Sequence, residues 1–145
     1  MARIAHLVRI HATPEKVYQC IASAAGIAEW FTEASSPDYR KGGTLELRFG
    51  DERVSFVISE LKEPSRIVWH CTTPENPWFN TDIAFEIAGQ GDRALVRFDH
   101  LGWPDVTDRF RDCSMSWAYF LESLRSLLEE GQGTPESLAP PCEGG

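Results

Sequence analysis

The feature that most constrains the fold is a two-residue alternation of apolar side chains between residues 43 and 101. The alternation forms separate rows, with turn-forming residues between them, at residues 45–49, 54–58, 67–71, 83–87 and 96–100. Successive side chains of a β-strand point to opposite faces of its sheet. The pattern therefore predicts an antiparallel meander with one buried face and one solvated face.

The apolar period changes after this region, and a single long helix is predicted between residues 104 and 130. Apolar residues there recur in steps of three and four, at Val106, Phe110, Cys113, Trp117, Phe120, Leu121, Leu124, Leu127 and Leu128. This spacing places them on one face of an amphipathic helix. A bent sheet and a helix that each have one apolar face can bury those faces against each other, which predicts an α+β fold.

One more strand and two short helices are predicted before the meander. Residues 3–12 have the mixed composition of a strand, and Thr13-Pro14-Glu15 then supply a helix N-cap, a first-turn proline and a first-turn acid. Gly26 interrupts the helical spacing, so we expect helices at about 14–23 and 26–31. Residues 1–130 are predicted to form a single domain, followed by a flexible tail at residues 131–145, which are rich in Gly and Pro.

Charge and cysteine usage exclude several classes of partner. The net charge is −8, from 14 basic and 22 acidic residues, and it disfavours nucleic acid and anionic membranes. The longest uncharged run, residues 17–28, is too short to span a membrane, and charged residues interrupt the N-terminus, which predicts a cytoplasmic protein. The four cysteines are scattered without metal-ligand spacing, so we expect four free thiols, no metal site and no cofactor.

Several motifs along the chain resemble the START-like (SRPBCC) superfamily. They are Thr13-Pro14-Glu15-Lys16-Val17-Tyr18, Trp30-Phe31, EPSRIVW at residues 63–69, His100-Leu101-Gly102-Trp103, and the helical stretch from Trp117 to Leu128 with its closing Gly131. Within that superfamily the chain is similar to the AHSA1-like branch, named after activators of the heat-shock protein 90 ATPase. The resemblance implies a helix-grip fold, in which a curved antiparallel sheet wraps around a long C-terminal helix. It implies no catalytic residue, because the family includes co-chaperones, ligand-binding proteins and stress-related proteins.

The aromatic content suggests a ligand site lined by rings. The chain has 5 Trp, 3 Tyr and 8 Phe, and a sheet curled around a helix tends to leave space near the first half of that helix. The predicted ligand-binding residues are Trp69, Cys71, Phe85, Phe98, His100, Trp103, Phe110, Cys113, Ser114 and Trp117. The alternatives are that the rings fill a solid core, or that those at element ends form a protein-docking patch.

Three functions fit these features. The favoured hypothesis is a binding protein for a hydrophobic or aromatic small molecule. The second is a protein-interaction module, either co-chaperone-like or a homodimer, although the family's chaperone activators carry an additional N-terminal domain for which this chain has no room.

The third is an enzyme of cyclase, dehydratase or hydrolase type with His100 as acid or base. The alternative for His100 is a structural histidine held by hydrogen bonds. Residues 89–94 superficially match a dinucleotide fingerprint, but a predicted strand follows them, so a hairpin turn is expected instead.

Overall fold

The computed structural model describes residues 1–135. In chain order the elements are β1 (Ala2–Ile10), α1 (Pro14–Ile21), α2 (Ala24–Trp30), β2 (Glu33–Ser35), β3 (Thr44–Phe49), β4 (Glu52–Lys62), β5 (Arg66–Cys71), β6 (Asp82–Gln90), β7 (Arg93–Trp103) and α3 (Asp108–Glu130). The strands form one antiparallel sheet in the order β1-β7-β6-β5-β4-β3-β2, and α3 packs against it. This is the predicted helix-grip arrangement.

The alternating rows correspond to strands β3 to β7, and their apolar members form the buried face. The predicted hairpin at residues 89–94 is confirmed: β6 and β7 pair up to Gln90 and Arg93, and Gly91 turns the chain with a φ of 61°. The three-residue strand β2, which pairs with β3, has no sequence signal of its own and was not predicted.

The break between the two short helices is set by Ser23 and not, as predicted, by Gly26. The Ser23 side chain accepts a hydrogen bond from the Gly26 amide at 3.1 Å and caps α2, much as Thr13 caps α1. Gly26 is instead required for packing, because a Cβ there would lie 2.7 Å from the Cys20 carbonyl oxygen. At Gly26, helix α2 therefore lies too close to the end of α1 for any residue with a side chain.

Helix α3 starts later than its apolar pattern suggested. Thr107 caps it by accepting a hydrogen bond from the Phe110 amide at 3.2 Å, so residues 104–107 form a connection outside the helix. Gly131 ends the helix in the left-handed conformation with a φ of 85°. Within the described part of the chain, no helix is long and apolar enough to cross a membrane.

The first residues of the predicted tail hydrogen-bond back to α3. The Gln132 carbonyl accepts from the Ser126 hydroxyl at 2.7 Å, and the Thr134 amide donates to the Ser123 hydroxyl at 2.7 Å. Residues 136–145 of that tail lie outside the described residues.

Candidate functional site

Trp117 on α3 lies at the centre of the rings between helix and sheet. Its ring centroid is 4.4 Å from that of Phe98, 4.9 Å from that of Phe31 and 5.9 Å from that of Trp78, with which it stacks. Trp117, Phe98 and Phe31 are at most 1% exposed. Centroids at these distances correspond to van der Waals contact. The middle of the predicted site is therefore a packed aromatic core, as in the solid-core alternative.

His100 is fully buried in this core and is held at both ring nitrogens. Its Nδ1 lies 3.1 Å from Trp117 Nε1, which can only donate, so Nδ1 accepts and the ring proton is on Nε2. His100 Nε2 then donates to the Thr81 hydroxyl at 2.8 Å, and that hydroxyl donates to the Trp78 carbonyl oxygen at 2.6 Å. The chain of hydrogen bonds connects α3, β7 and the loop before β6.

Burial lowers the pKa of His100 from 6.5 to about 3, so its imidazole is neutral near pH 7. A neutral imidazole with both nitrogens engaged has no free proton or lone pair to offer a substrate. The arrangement favours the structural interpretation of His100 over the acid–base one.

The predicted residues on β5 and β6 also belong to the packed core. Trp69 lies edge-on to Phe85 with ring centroids 5.1 Å apart, and its Nε1 donates to the Tyr39 hydroxyl at 2.9 Å. Burial raises the pKa of the Tyr39 phenol. Cys71 is fully buried with a free thiol, and burial raises the pKa of that thiol, which disfavours the reactive thiolate.

Cys113 and Ser114 on α3 differ from what the sequence indicated. Cys113 is fully buried but disulfide-bonded, so the prediction of four free thiols is wrong at this residue, while Cys20 and Cys71 are free. The Ser114 hydroxyl lies 3.3 Å from His6 Nε2 on β1, and the Ser114 carbonyl oxygen lies 3.0 Å from the same nitrogen. Ser114 therefore connects α3 to the edge strand of the sheet.

Towards the start of α3 the ring cluster comes close to the surface, because Phe110 there is half-buried. We call this region the aromatic end and define it by Trp78, Phe79, Trp103, Val106 and Phe110. Its loops lie at the same end of two neighbouring strands, because Asp82 at the start of β6 pairs with Leu101 near the end of β7. Trp103 lies 5.4 Å from Phe110 between ring centroids, and Phe79 and Val106 are 41% and 46% exposed. An apolar molecule could contact the cluster here.

Two donors near this end are buried without an acceptor. Within residues 1–135, neither Trp103 Nε1 nor Arg109 Nε has a hydrogen-bond partner. The indole nitrogens of Trp30, Trp69 and Trp117, by contrast, each donate at 2.9–3.1 Å. An unpaired buried donor is costly, and this distinguishes the aromatic end from the rest of the core.

Sequence reasoning missed several residues of this region. Trp78 and Phe31 are not among the predicted ligand-binding residues, yet both contact Trp117. Thr81 carried no signal, because its contact with His100 spans 19 residues and depends on the β6–β7 register. Arg109 was not singled out, because an arginine in the first turn of a helix is usually solvated.

Residues 11–129 match the family described as Activator of Hsp90 ATPase homolog 1-like protein. The chain belongs to that family. A solved member, the Aha1 dimer from Colwellia psychrerythraea, is 31% identical with a TM-score of 0.83, and the match covers 92% of this chain and 100% of the Colwellia chain. The family assignment made from the sequence motifs is confirmed.

Solved structures with lower sequence identity share the fold of this chain. A protein from Staphylococcus saprophyticus is 17% identical with a TM-score of 0.78, covering 92% of this chain and 96% of its own. CalU16 from Micromonospora echinospora is 21% identical with a TM-score of 0.74, covering 92% of this chain and 78% of its own. No curated protein matches the sequence significantly.

Proposed function

We propose that this protein binds a small hydrophobic or aromatic molecule at the aromatic end. The single observation that carries the proposal is the exposed apolar surface beside the ring cluster at this place. Phe79 and Val106 are more than two-fifths exposed, and Phe110 is half-buried beside the buried Trp103. Aromatic and aliphatic side chains at a partly open surface suit a flat apolar ligand.

The packed core around Trp117 determines how such a molecule would be held. Because Trp117, Phe98 and Phe31 are already in contact, a ligand gains burial most readily by packing on the outer rings, Trp103 and Phe110. A ligand that displaced Trp117 would also break its hydrogen bond to His100. We therefore place the ligand over the β7–α3 connection.

The test is a titration with two aromatic probes, 2-naphthoate and 2-methylnaphthalene, followed by ¹H–¹⁵N NMR. We expect at least one probe to bind, with shift changes concentrated at residues 78–81 and 103–110. The Phe110→Ala variant should weaken binding at least about tenfold, because it removes part of the apolar wall.

The matched control is Leu128→Ala, which truncates a half-buried apolar residue at the other end of α3. It should leave the affinity unchanged. The proposal fails if neither probe binds up to its solubility limit, or if Phe110→Ala and Leu128→Ala bind equally well.

A second candidate, a homodimeric interaction module, is favoured by a different surface. Met115 and Tyr119 are 74% and 39% exposed and lie one helical turn apart on the outer face of α3. The 31% identical Colwellia protein is described as a dimer. Exposed Met and Tyr side chains are enriched at protein interfaces.

Analytical ultracentrifugation tests this candidate. The double variant Met115→Lys/Tyr119→Lys should shift the protein to monomer, whereas Gln90→Lys, an exposed change at the β6–β7 hairpin, should not. The homodimer proposal fails if the parent protein stays monomeric even at the highest protein concentration that the instrument can measure.

A further inference from the structure

Trp103 faces the interior because of a bulge in β7. In the pairing of β1 with β7, Ala2 lies opposite Trp103 and Arg3 lies opposite Leu101, so Gly102 is the extra residue. Gly102 has a φ of 95°, which disfavours other residues, and a Cβ there would lie 3.2 Å from the Asn80 carbonyl oxygen.

An extra residue shifts the alternation of a strand by one position. His100 and Trp103 therefore face the same side although they are three residues apart, and their ring centroids lie 5.0 Å apart.

Because of the bulge, the indole N–H of Trp103 is buried in the core without a hydrogen-bond acceptor in the described residues. Trp103 is 3% exposed, and nothing in residues 1–135 accepts a hydrogen bond from its Nε1. A ring placed there only for packing would be better as phenylalanine, since an unpaired buried N–H is unfavourable. The bulge at Gly102, which turns Trp103 inward, and the unpaired donor together indicate that the indole N–H serves a ligand.

Arg109 supplies a second unpaired donor at the same end of the molecule. β7 ends at Trp103 and α3 begins at Asp108, and Phe110, next to Arg109, packs edge-on against Trp103. The Nε of Arg109 is buried, and its guanidinium forms no ion pair within the described residues.

Asp105, Asp108 and Asp112 are close to Arg109 in sequence, but within the described residues none of them forms an ion pair with it. Arg111 pairs with Asp108 at 3.6 Å, and the Asp105 carboxylate accepts from the Val106 amide at 2.8 Å. The first turn of α3 adds the positive end of the helix dipole.

We propose that the ligand carries a carboxylate, bound by Trp103 Nε1–H and the Arg109 guanidinium while its apolar part packs on Phe110. This inference rests on the proposed function. A carboxylate has two oxygens and can accept from both donors at once. The ligand class is accordingly a hydrophobic or aromatic carboxylic acid.

The test compares the two naphthalene probes, which have similar rings and differ in the carboxylate. 2-Naphthoate should bind about 10- to 100-fold more tightly than 2-methylnaphthalene at pH 7.5, the range expected for a charge-assisted hydrogen bond. It should also shift the Trp103 indole N–H resonance. Trp103→Phe, which keeps a ring, and Arg109→Gln should each reduce this preference.

Two control variants separate recognition from general destabilisation. Trp30→Phe removes an indole N–H that donates to the Cys20 carbonyl oxygen, and Arg111→Gln removes the arginine paired with Asp108. Neither should change the preference for 2-naphthoate. Dispersed NMR spectra of the free variants establish that each is folded.

The possible failures are distinguishable. Equal affinity for the two probes overturns the carboxylate inference but leaves the proposed function standing. The same holds if Trp103→Phe still prefers 2-naphthoate to 2-methylnaphthalene. Failure of both probes to bind overturns the proposed function and this inference with it.

Discussion

Replacing His100 by glutamine should flatten the dependence of stability on pH between pH 7.5 and 5. His100 is fully buried, its ring neighbours Trp78, Trp103 and Trp117 are uncharged, and it has no ion-pair partner within residues 1–135. Burial lowers its pKa to about 3, compared with about 6.5 in an unfolded chain. The folded state therefore binds this proton much less readily than the unfolded state does.

The direction and size of this change in stability follow from the linkage between proton binding and folding. Above pH 6.5 both states hold a neutral imidazole, so the native state has its full stability from this group. As the pH falls from 6.5 towards 3, only the unfolded chain takes up the proton, and the free energy of unfolding decreases. One pKa unit corresponds to about 1.4 kcal/mol, so the loss at pH 5 is about 2 kcal/mol.

Glutamine is the informative substitution because it does not titrate and can still accept from Trp117 and donate to Thr81. Urea unfolding, followed by tryptophan fluorescence, gives the free energy of unfolding of each protein at pH 7.5 and at pH 5. The parent should lose about 2 kcal/mol more than His100→Gln over this interval, whatever the two proteins' stabilities at pH 7.5.

The control is His11→Gln, at a histidine whose side chain is 63% exposed. Carboxylates titrate alike in all three proteins and cancel in the comparison. Equal pH dependence in the parent and His100→Gln would refute the assignment of a neutral, desolvated imidazole.

Two further substitutions test close contacts elsewhere in the fold. Gly133→Ala should lower the free energy of unfolding by about 1–3 kcal/mol in urea melts, because its Cβ would lie 2.5 Å from the Glu29 carbonyl oxygen. The control is Gly89→Ala, whose Cβ would make only a normal contact at 3.5 Å and which should change the stability little. Tyr39→Phe should cost about 1–3 kcal/mol by the same assay, because it leaves the fully buried Trp69 N–H without its acceptor. An unchanged unfolding midpoint in either Gly133→Ala or Tyr39→Phe would contradict the corresponding contact.

Except for the short strand β2, the sequence alone determined the elements and the burial of their faces. Alternation over residues 43–101 and the three- and four-residue steps after residue 104 report local geometry, because a side chain's direction in a strand or helix depends on its position in that element. The apolar rows and the long helix therefore correspond to the observed strands and to α3. The limits of the elements were less predictable, since Ser23 and Thr107 act through single capping hydrogen bonds.

Only the tertiary structure decided how the candidate site is built. The partners of His100 come from α3 and from the loop before β6, and no local pattern encodes contacts between segments so far apart. The inward direction of Trp103 depends on one extra residue at Gly102, and a one-residue change of register reverses the face of every side chain beyond it. Local periodicity specifies which elements form, whereas register, bulges and loop packing specify which side chains meet.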